Sequence, residues 1–522
     1  MMKTTQKSRL LLFVATMLSS SFAFAQTKEA FVANVTKEAT ENSQLEKLAH
    51  ELLDVVGPRL VGTPQMKQAG DWAVKKYGEW GITSRMEKWG EWRGWERGIT
   101  HIDLTSPRLR SLEGTQLAWS PSTAKGKPIN AEAIVLPLVA DSLAFVKWLP
   151  SAKGKLVLIS QAQISGRPDK NHEEFATKDG LAKFKKDKEE AAKVWRDRLA
   201  KTGLNAKNLA LAIENAGAAG IIINNWSAGW GVDKVFGANT TKIPTLNLSL
   251  EDYGLVYRLA EYGNKPMLRV TSESKELGVV PTFNTFAEIK GTEKPKEYVM
   301  LSAHFDSWDA SSGATDNGTG TIMMMETMRL LKKFYPNPKR TILVGHWASE
   351  EQGLNGSRAF VEDHPEIVSN LQALFNQDNG TGRVVNIGGA GFAKAKDFLP
   401  RWLAAVPDTI KNQIKTSYPG TPSGGGSDNA SFVAAGALGF SLGALPWDYF
   451  SYTWHTNRDT YDKIVFDEVR NNAILAAILV YMACEDPERT STEKAPMGIN
   501  QRTGKPGEWP APVKANRRGG LN

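Results

Sequence analysis

An apolar, β-rich run from Tyr298 to Ala303 ends in His304 and Asp306, and a loop of small residues then leads to Asp316, which opens Asp316-Asn-Gly-Thr-Gly. An apolar strand that delivers polar groups at its carboxyl end is how open α/β sheets place their sites. Imidazole and carboxylate together suit zinc or a similar borderline metal. His-x-Asp alone is a weak pattern, but three further segments add to it. Thr341 to Trp347 runs on to Glu350 and Glu351, Leu374 to Gln377 runs into Asp378, and a loop carries His455 and Asp459. Two histidines and several carboxylates from separate strand ends can converge on one rim of a sheet. One metal would be overcoordinated by His304, Asp316, Glu351, Asp378 and His455 together; two metals sharing one bridging carboxylate would be satisfied by them. Such a pair, roughly 3.5–4 Å apart, lowers the pKa of a water between them. Glu350, next to Glu351, is placed to take the proton.

The elements that must position these groups alternate in type. Asn284 to Ile289, Tyr298 to Ala303, Thr341 to Trp347, Ala373 to Gln377 and Ala437 to Leu442 read as strands, with helical patterns at Thr319 to Phe334, Ser357 to Asp363, Ala393 to Ala405 and Phe466 to Cys484. This alternation predicts an α/β fold, a mostly parallel sheet sandwiched by helices. Upstream, Leu45, Leu48, Leu52 and Val56 recur at helical spacing, Gly57-Pro58-Arg59 breaks the pattern, and Thr63-Pro64 reads as an N-cap followed by proline at the first helical position. That second helix is expected to end at Gly81, and the Trp-rich residues 84–118 to form strands. From Ser120 the composition shifts to short strand-like runs at Ala131 to Val139, Lys155 to Ile159, Gly217 to Asn224 and Ile243 to Ser249, interrupted by a charged segment, 165–208, that reads as a solvated helical insertion. Residues 489–522 are basic, rich in Pro and Gly, and read as a flexible tail.

The 522 residues are 41% apolar, enough for sizeable cores. Lys3, Lys7 and Arg9, an apolar run from Leu10 to Leu18, and Ala23-Phe24-Ala25 read as a secretory signal peptide over residues 1–25. Its removal takes away three positive charges and lowers the net charge from +8 to +5. No later stretch reaches the roughly 18 apolar residues of a membrane span, so no membrane association is expected after cleavage. The mature protein is expected to be exported, periplasmic or secreted, from a Gram-negative bacterium. Cys484 is the single cysteine, so no intramolecular disulfide is possible. No Lys/Arg stripe with interleaved aromatics is present, which argues against nucleic acid as a partner.

His304-x-Asp306, Gly313-Ala-Thr-Asp316-Asn-Gly-Thr-Gly, Glu350-Glu351-x-Gly-Leu-x-Gly-Ser, Asp378 and His455-Thr-x-x-Asp459-Thr, in that order, resemble the motif set of the M28 zinc peptidases. Gly57-Pro-Arg-Leu-Val-Gly-Thr-Pro extends the likeness, so that it spans about residues 44–485, and the arrangement is similar to the carboxypeptidase Q branch. The resemblance implies a zinc-dependent exopeptidase, phosphorylase/hydrolase-like fold over residues 26–119 and 276–488. Lys153-Gly-Lys-Leu-Val-Leu-Ile, Ala216-Gly-Ala-Ala-Gly-Ile-Ile and Ile243-Pro-Thr-Leu resemble a protease-associated domain, inserted at 120–275. It also implies two Zn2+ per chain, other divalent metals fitting the same donors. Asp316 would bridge them, His304 and Asp378 would complete one site, and Glu351 and His455 the other. Asp306 would orient His304 from behind, and Glu350 would be general base and then acid. Relatives with a tyrosine before the last histidine use its hydroxyl on the tetrahedral intermediate; here that position is Trp454, with Tyr452 a possible substitute. Ser427 and Asp428 fall in a loop, Gly424 to Asn429, that matches one near the substrate pocket.

The implied activity is hydrolysis of peptides or dipeptides near a chain terminus, as an aminopeptidase or dipeptidase. A carboxypeptidase of the same fold is the nearest alternative; a non-catalytic binding or receptor module and a glutaminyl-cyclase-like acyltransferase are more distant ones. A homodimer is compatible with the reading. Acidic residues facing a free amino terminus would favour the first activity, and a basic cluster facing a carboxylate the second. His50, His101, His172, His346 and His364 match none of these motifs and read as surface or core residues.

Overall fold

The computed structural model describes residues 27–124, 127–499, 504–505 and 507–520. The proposed signal peptide lies outside them. At the centre, strand Lys294–His304 is flanked in parallel by Arg340–Trp347 on one side and by Leu371–Asn376 on the other, and Leu371–Asn376 is parallel to Gly439–Ala444. Antiparallel neighbours flank this parallel centre: Met267–Ile289 beside Arg340–Trp347, and Val384–Gly388 beside Gly439–Ala444. Side chains of a strand alternate between faces, and both faces are covered here. Val299, Leu301 and Ala303 pack with Ile342 and Val344 into the core that holds Met323, Met324 and Met325 of helix Thr319–Phe334 and Ile474 and Ile478 of helix Phe466–Glu485. Met300 and Leu343 point the other way, into a core with Trp347, Phe360 of helix Asn355–Asp363 and Phe432 of helix Asn429–Ala434. Helix Phe466–Glu485 is apolar almost all round because it is buried almost all round.

Local signals act where expected. The Thr63 hydroxyl accepts from the Met66 amide at 3.3 Å, Pro64 opens helix Pro64–Glu79, and Gly81, at φ 67°, ends it. Two features go beyond the sequence reading. Helix Lys28–Glu41 buries Phe31, Val35 and Ala39 against the core. Residues 489–522, read as a flexible tail, are docked where they are described. Arg518–Gly519 pairs in parallel with Glu91 and Trp92, the Trp509 indole donates to the Val433 carbonyl at 3.0 Å, and Arg517 pairs with Glu362 and Asp363. Long-range ion pairs and an indole contact, not local periodicity, order this segment.

Two long antiparallel strands, Thr83–Ser106 and Met267–Ile289, run out of the central sheet. The chain between them builds a second lobe with its own cores, around parallel strands Ile129–Val135, Leu156–Leu158, Gly220–Ile223 and Thr245–Leu248. The charged segment forms helices Asp169–Phe175 and Lys178–Ala200 on its surface; Trp195 of the longer helix is the buried anchor.

His346 belongs to the core. Its Nε2 lies 2.7 Å from the Tyr77 hydroxyl, and burial pushes its pKa down to about 3. The folded state therefore binds fewer protons than the unfolded state between that value and the ordinary histidine pKa. Stability is expected to fall as pH drops below about 6.5, by about 1.4 kcal/mol per pH unit from this group. Denaturant midpoints measured across that range check this, and His346→Gln is expected to flatten the slope.

Candidate active site

The ends of the central strands and the loops beyond them bring the five proposed ligands together. Asp316 follows Gly313 on the turn Ala314–Gly318, directly before helix Thr319–Phe334. Its Oδ1 lies 3.3 Å from His304 Nε2, and its Oδ2 lies 3.4 Å from His455 Nε2. Asp378 Oδ1 is 3.0 Å from His304 Nε2, and Glu351 Oε2 is 2.8 Å from His455 Nε2. Each trio, His304/Asp316/Asp378 and Asp316/Glu351/His455, offers donor atoms within 4.8 Å of one another. Asp316 thus presents one oxygen to each imidazole–carboxylate pair.

The residues themselves show whether zinc fits. Asp316 Oδ2 and Glu351 Oε1 are buried without a hydrogen-bond donor. Like-charged carboxylates crowded in a low-dielectric site need cations to be stable, and imidazole nitrogen with carboxylate oxygen is a zinc donor set. The donors fit zinc.

The supporting contacts differ in part from the sequence expectation. His304 Nδ1 lies 3.0 Å from the backbone carbonyl of Asp306, so Nδ1 carries the proton and Nε2 turns its lone pair to the cluster. The Asp306 carboxylate is 3.8 Å from that nitrogen. It accepts instead from the amides of Glu350 and Glu351, at 3.1 and 3.3 Å. Asp306 therefore ties the His304 strand end to the Glu350-Glu351 turn, and its main chain, not its side chain, orients the imidazole. Asp459 caps the Asp316 loop: it accepts from the Thr315 and Asp316 amides at 2.8 and 3.0 Å. Burial pushes its carboxyl up to about 7, with the Asp316 charge acting in the same sense.

His455, at φ 59°, is held by rings. Trp454 stacks on it at 3.9 Å between centroids, and Phe236 and Trp308 meet it at 5.4 and 6.1 Å. Phe236 comes from the second lobe, whose Val235 amide donates to the His455 carbonyl at 2.8 Å. Trp454, with Lys234 Nζ 3.9 Å from its ring centroid, lines the cleft as a stacking group. Tyr452 faces away and packs against Gly229. The phenol in the cleft is that of Tyr449, which interacts with Asp316 and whose pKa burial raises well above the ordinary value, keeping it a proton donor. It opens the single helical turn Tyr449–Tyr452, six residues before His455. Ser427 lines the cleft and accepts from Asn376 Nδ2 at 2.9 Å, whereas Asp428 is fully buried and does not line it.

Glu350 borders a cleft of about 550 Å³ together with Asp316, Glu351, Asp378 and His455. Burial holds its carboxyl well above the ordinary range; His304 pulls it down, and Asp378 and Asp428 push it up again. Beneath the site, Arg59 is fully buried and clamps the 305–313 loop: Nε donates to the Phe305 carbonyl at 2.7 Å, Nη1 to Ser312 at 2.7 Å and Nη2 to Gly313 at 3.0 Å. Nothing in the pattern around Gly57-Pro58-Arg59 announces that role. Arg59→Met leaves these carbonyls without a donor and is expected to cost about 3–5 kcal/mol, read as a lowered denaturation midpoint.

Residues 284–480 match the family model of Peptidase family M28. This region is an M28 zinc metallopeptidase domain, and the chain as a whole is similar to carboxypeptidase Q. Carboxypeptidase Q of Mus musculus is 26% identical over 451 residues, covering 86% of this chain and 87% of that protein. A crystal structure of a Peptidase M28 precursor from Shewanella amazonensis matches 91% of this chain and 99% of its own, with a TM-score of 0.64 and 24% identity. The Bacillus subtilis zinc aminopeptidase BSAP matches 88% of this chain and 97% of its own, with a TM-score of 0.54 and 19% identity. These structures share the α/β architecture. Among the described residues no helix is long and apolar enough to cross a membrane.

Proposed function

We propose that this M28 exopeptidase is an exported, two-zinc enzyme that hydrolyses short peptides at a terminus, as an aminopeptidase or dipeptidase. The observation that carries the reading is Asp316, whose two oxygens face two separate imidazole–carboxylate pairs beside Glu350. His304 and Asp378 would hold one ion, Glu351 and His455 the other. When bound, zinc supplies Lewis acidity, lowering the pKa of a water and polarising a carbonyl.

The chain's own groups do the rest. Glu350 takes one proton from the attacking water and returns it to the leaving amine as the C–N bond breaks. Tyr449, a neutral donor in the cleft, faces the charge that develops on the carbonyl oxygen. His455 is kept in place by the ring contacts of Trp454, Phe236 and Trp308, so the second lobe, read as a protease-associated domain, helps to shape the site.

Three versions of one dipeptide test this: free at both ends, N-acetylated and C-amidated. Loss of turnover on acetylation alone indicates an aminopeptidase, loss on both a dipeptidase, and loss on amidation alone a carboxypeptidase. No turnover of any of them contradicts the proposal.

A further inference from the structure

One cation in the cleft has no role in holding the protein together. Arg358, half-buried in the first turns of helix Asn355–Asp363, lines the same cleft as Glu350 and Glu351. Its Nη1 lies 3.9 Å from where a Cβ would stand on Gly353, two residues beyond Glu351. The turn between them is tight, the Glu350 carbonyl accepting from the Gly353 and Leu354 amides at 2.7 and 2.9 Å. Among the described residues the guanidinium makes no hydrogen bond or ion pair. Its natural helical partner is Glu362, four residues on. That carboxylate is taken by the docked C-terminal segment, through Arg517 at 2.9 Å and the Ala515 amide at 2.9 Å.

Arg358 also borders a second cavity of about 410 Å³, next to the first, walled mostly by apolar groups of Leu354, Val361, Ala430, Ala434 and the 511–513 segment, with Glu362, Ser431 and Lys514 on the same wall. A half-buried guanidinium without a counter-ion, between the catalytic cleft and an apolar cavity, suits a ligand with a carboxylate and an apolar group beside it.

Resting on the exopeptidase reading above, we propose that Arg358 anchors the free C-terminal carboxylate of the substrate, the last side chain entering the cavity closed by residues 511–514. The carboxylate could also come from an acidic last side chain. The apolar walls favour the main-chain carboxylate, and the test separates the two.

The experiment compares wild type, Arg358→Gln and Arg358→Lys, all zinc-loaded, on Ala-Leu, Ala-Leu-amide and Ala-Glu-amide, with calorimetric binding of a reduced-bond Ala-Leu isostere as a readout independent of turnover. For Ala-Leu, Arg358→Gln is expected to raise KM and weaken isostere binding about 10–100-fold. The preference for Ala-Leu over its amide collapses toward one, and Arg358→Lys lies between. An unchanged preference overturns the assignment, as does Arg358 dependence confined to Ala-Glu-amide. A wild type that cleaves none of the three removes the exopeptidase reading and this assignment with it.

Discussion

Glu350→Gln is expected to lower kcat by about a hundred- to ten-thousand-fold while leaving metal content and the denaturation midpoint near those of the wild type. Glu350 lines the cleft beside the proposed ligands but belongs to neither trio. An amide of the same shape keeps the packing and cannot carry the proton from water to amine. The burial that raises the Glu350 pKa is also what makes a neutral amide easy to accommodate there. Metal analysis and steady-state kinetics on one preparation check both halves of the expectation. A variant that keeps its rate would show that another group moves the proton; one that loses its metal would place Glu350 among the ligands.

The second large effect is a pattern across three variants. Asp316 gives one oxygen to each side of the site. Asp316→Ala is therefore expected to lower zinc content from about two per chain to near none at a moderate zinc concentration. His304→Ala and His455→Ala should each leave about one, since each trio has its own imidazole. Elemental analysis after dialysis against buffered zinc reads this directly. Equal losses in all three variants would mean one shared ion. All three should lose at least as much turnover as Glu350→Gln, because polarisation of the carbonyl goes with the metal.

The sequence made His304, Glu351 and Asp378 legible because each ends, or closely follows, an apolar run, and the sheet turns those ends to one rim; Asp316 and His455 sit in loops and were legible only through the motifs around them. His304 and Glu351 follow adjacent strands paired in register, Ala303 opposite His346 and His304 opposite Trp347. The supporting contacts were less legible, because they join residues far apart in the chain. The bonds from the Glu350 and Glu351 amides to Asp306 span more than forty residues, and the Arg59 clamp spans about 250. No local period records either. Tyr449 was missed in favour of Tyr452 because nearness to Trp454 in the chain is not nearness to the cleft: Tyr452 packs against Gly229, and Tyr449, three residues earlier, lines the cleft. The docked C-terminal segment was hidden for a related reason: a basic, Pro- and Gly-rich stretch looks solvated until the acids that receive it, Glu362 and Asp363, are found on a helix elsewhere.

The central claim is that two zinc ions and Glu350 form one peptidase site. The most direct measurement is a zinc titration of chelator-stripped protein, with hydrolysis of a free dipeptide followed at each addition. The account predicts that activity returns with zinc and levels off at about two equivalents per chain. A plateau at one equivalent, or protein that takes up no zinc, would contradict it.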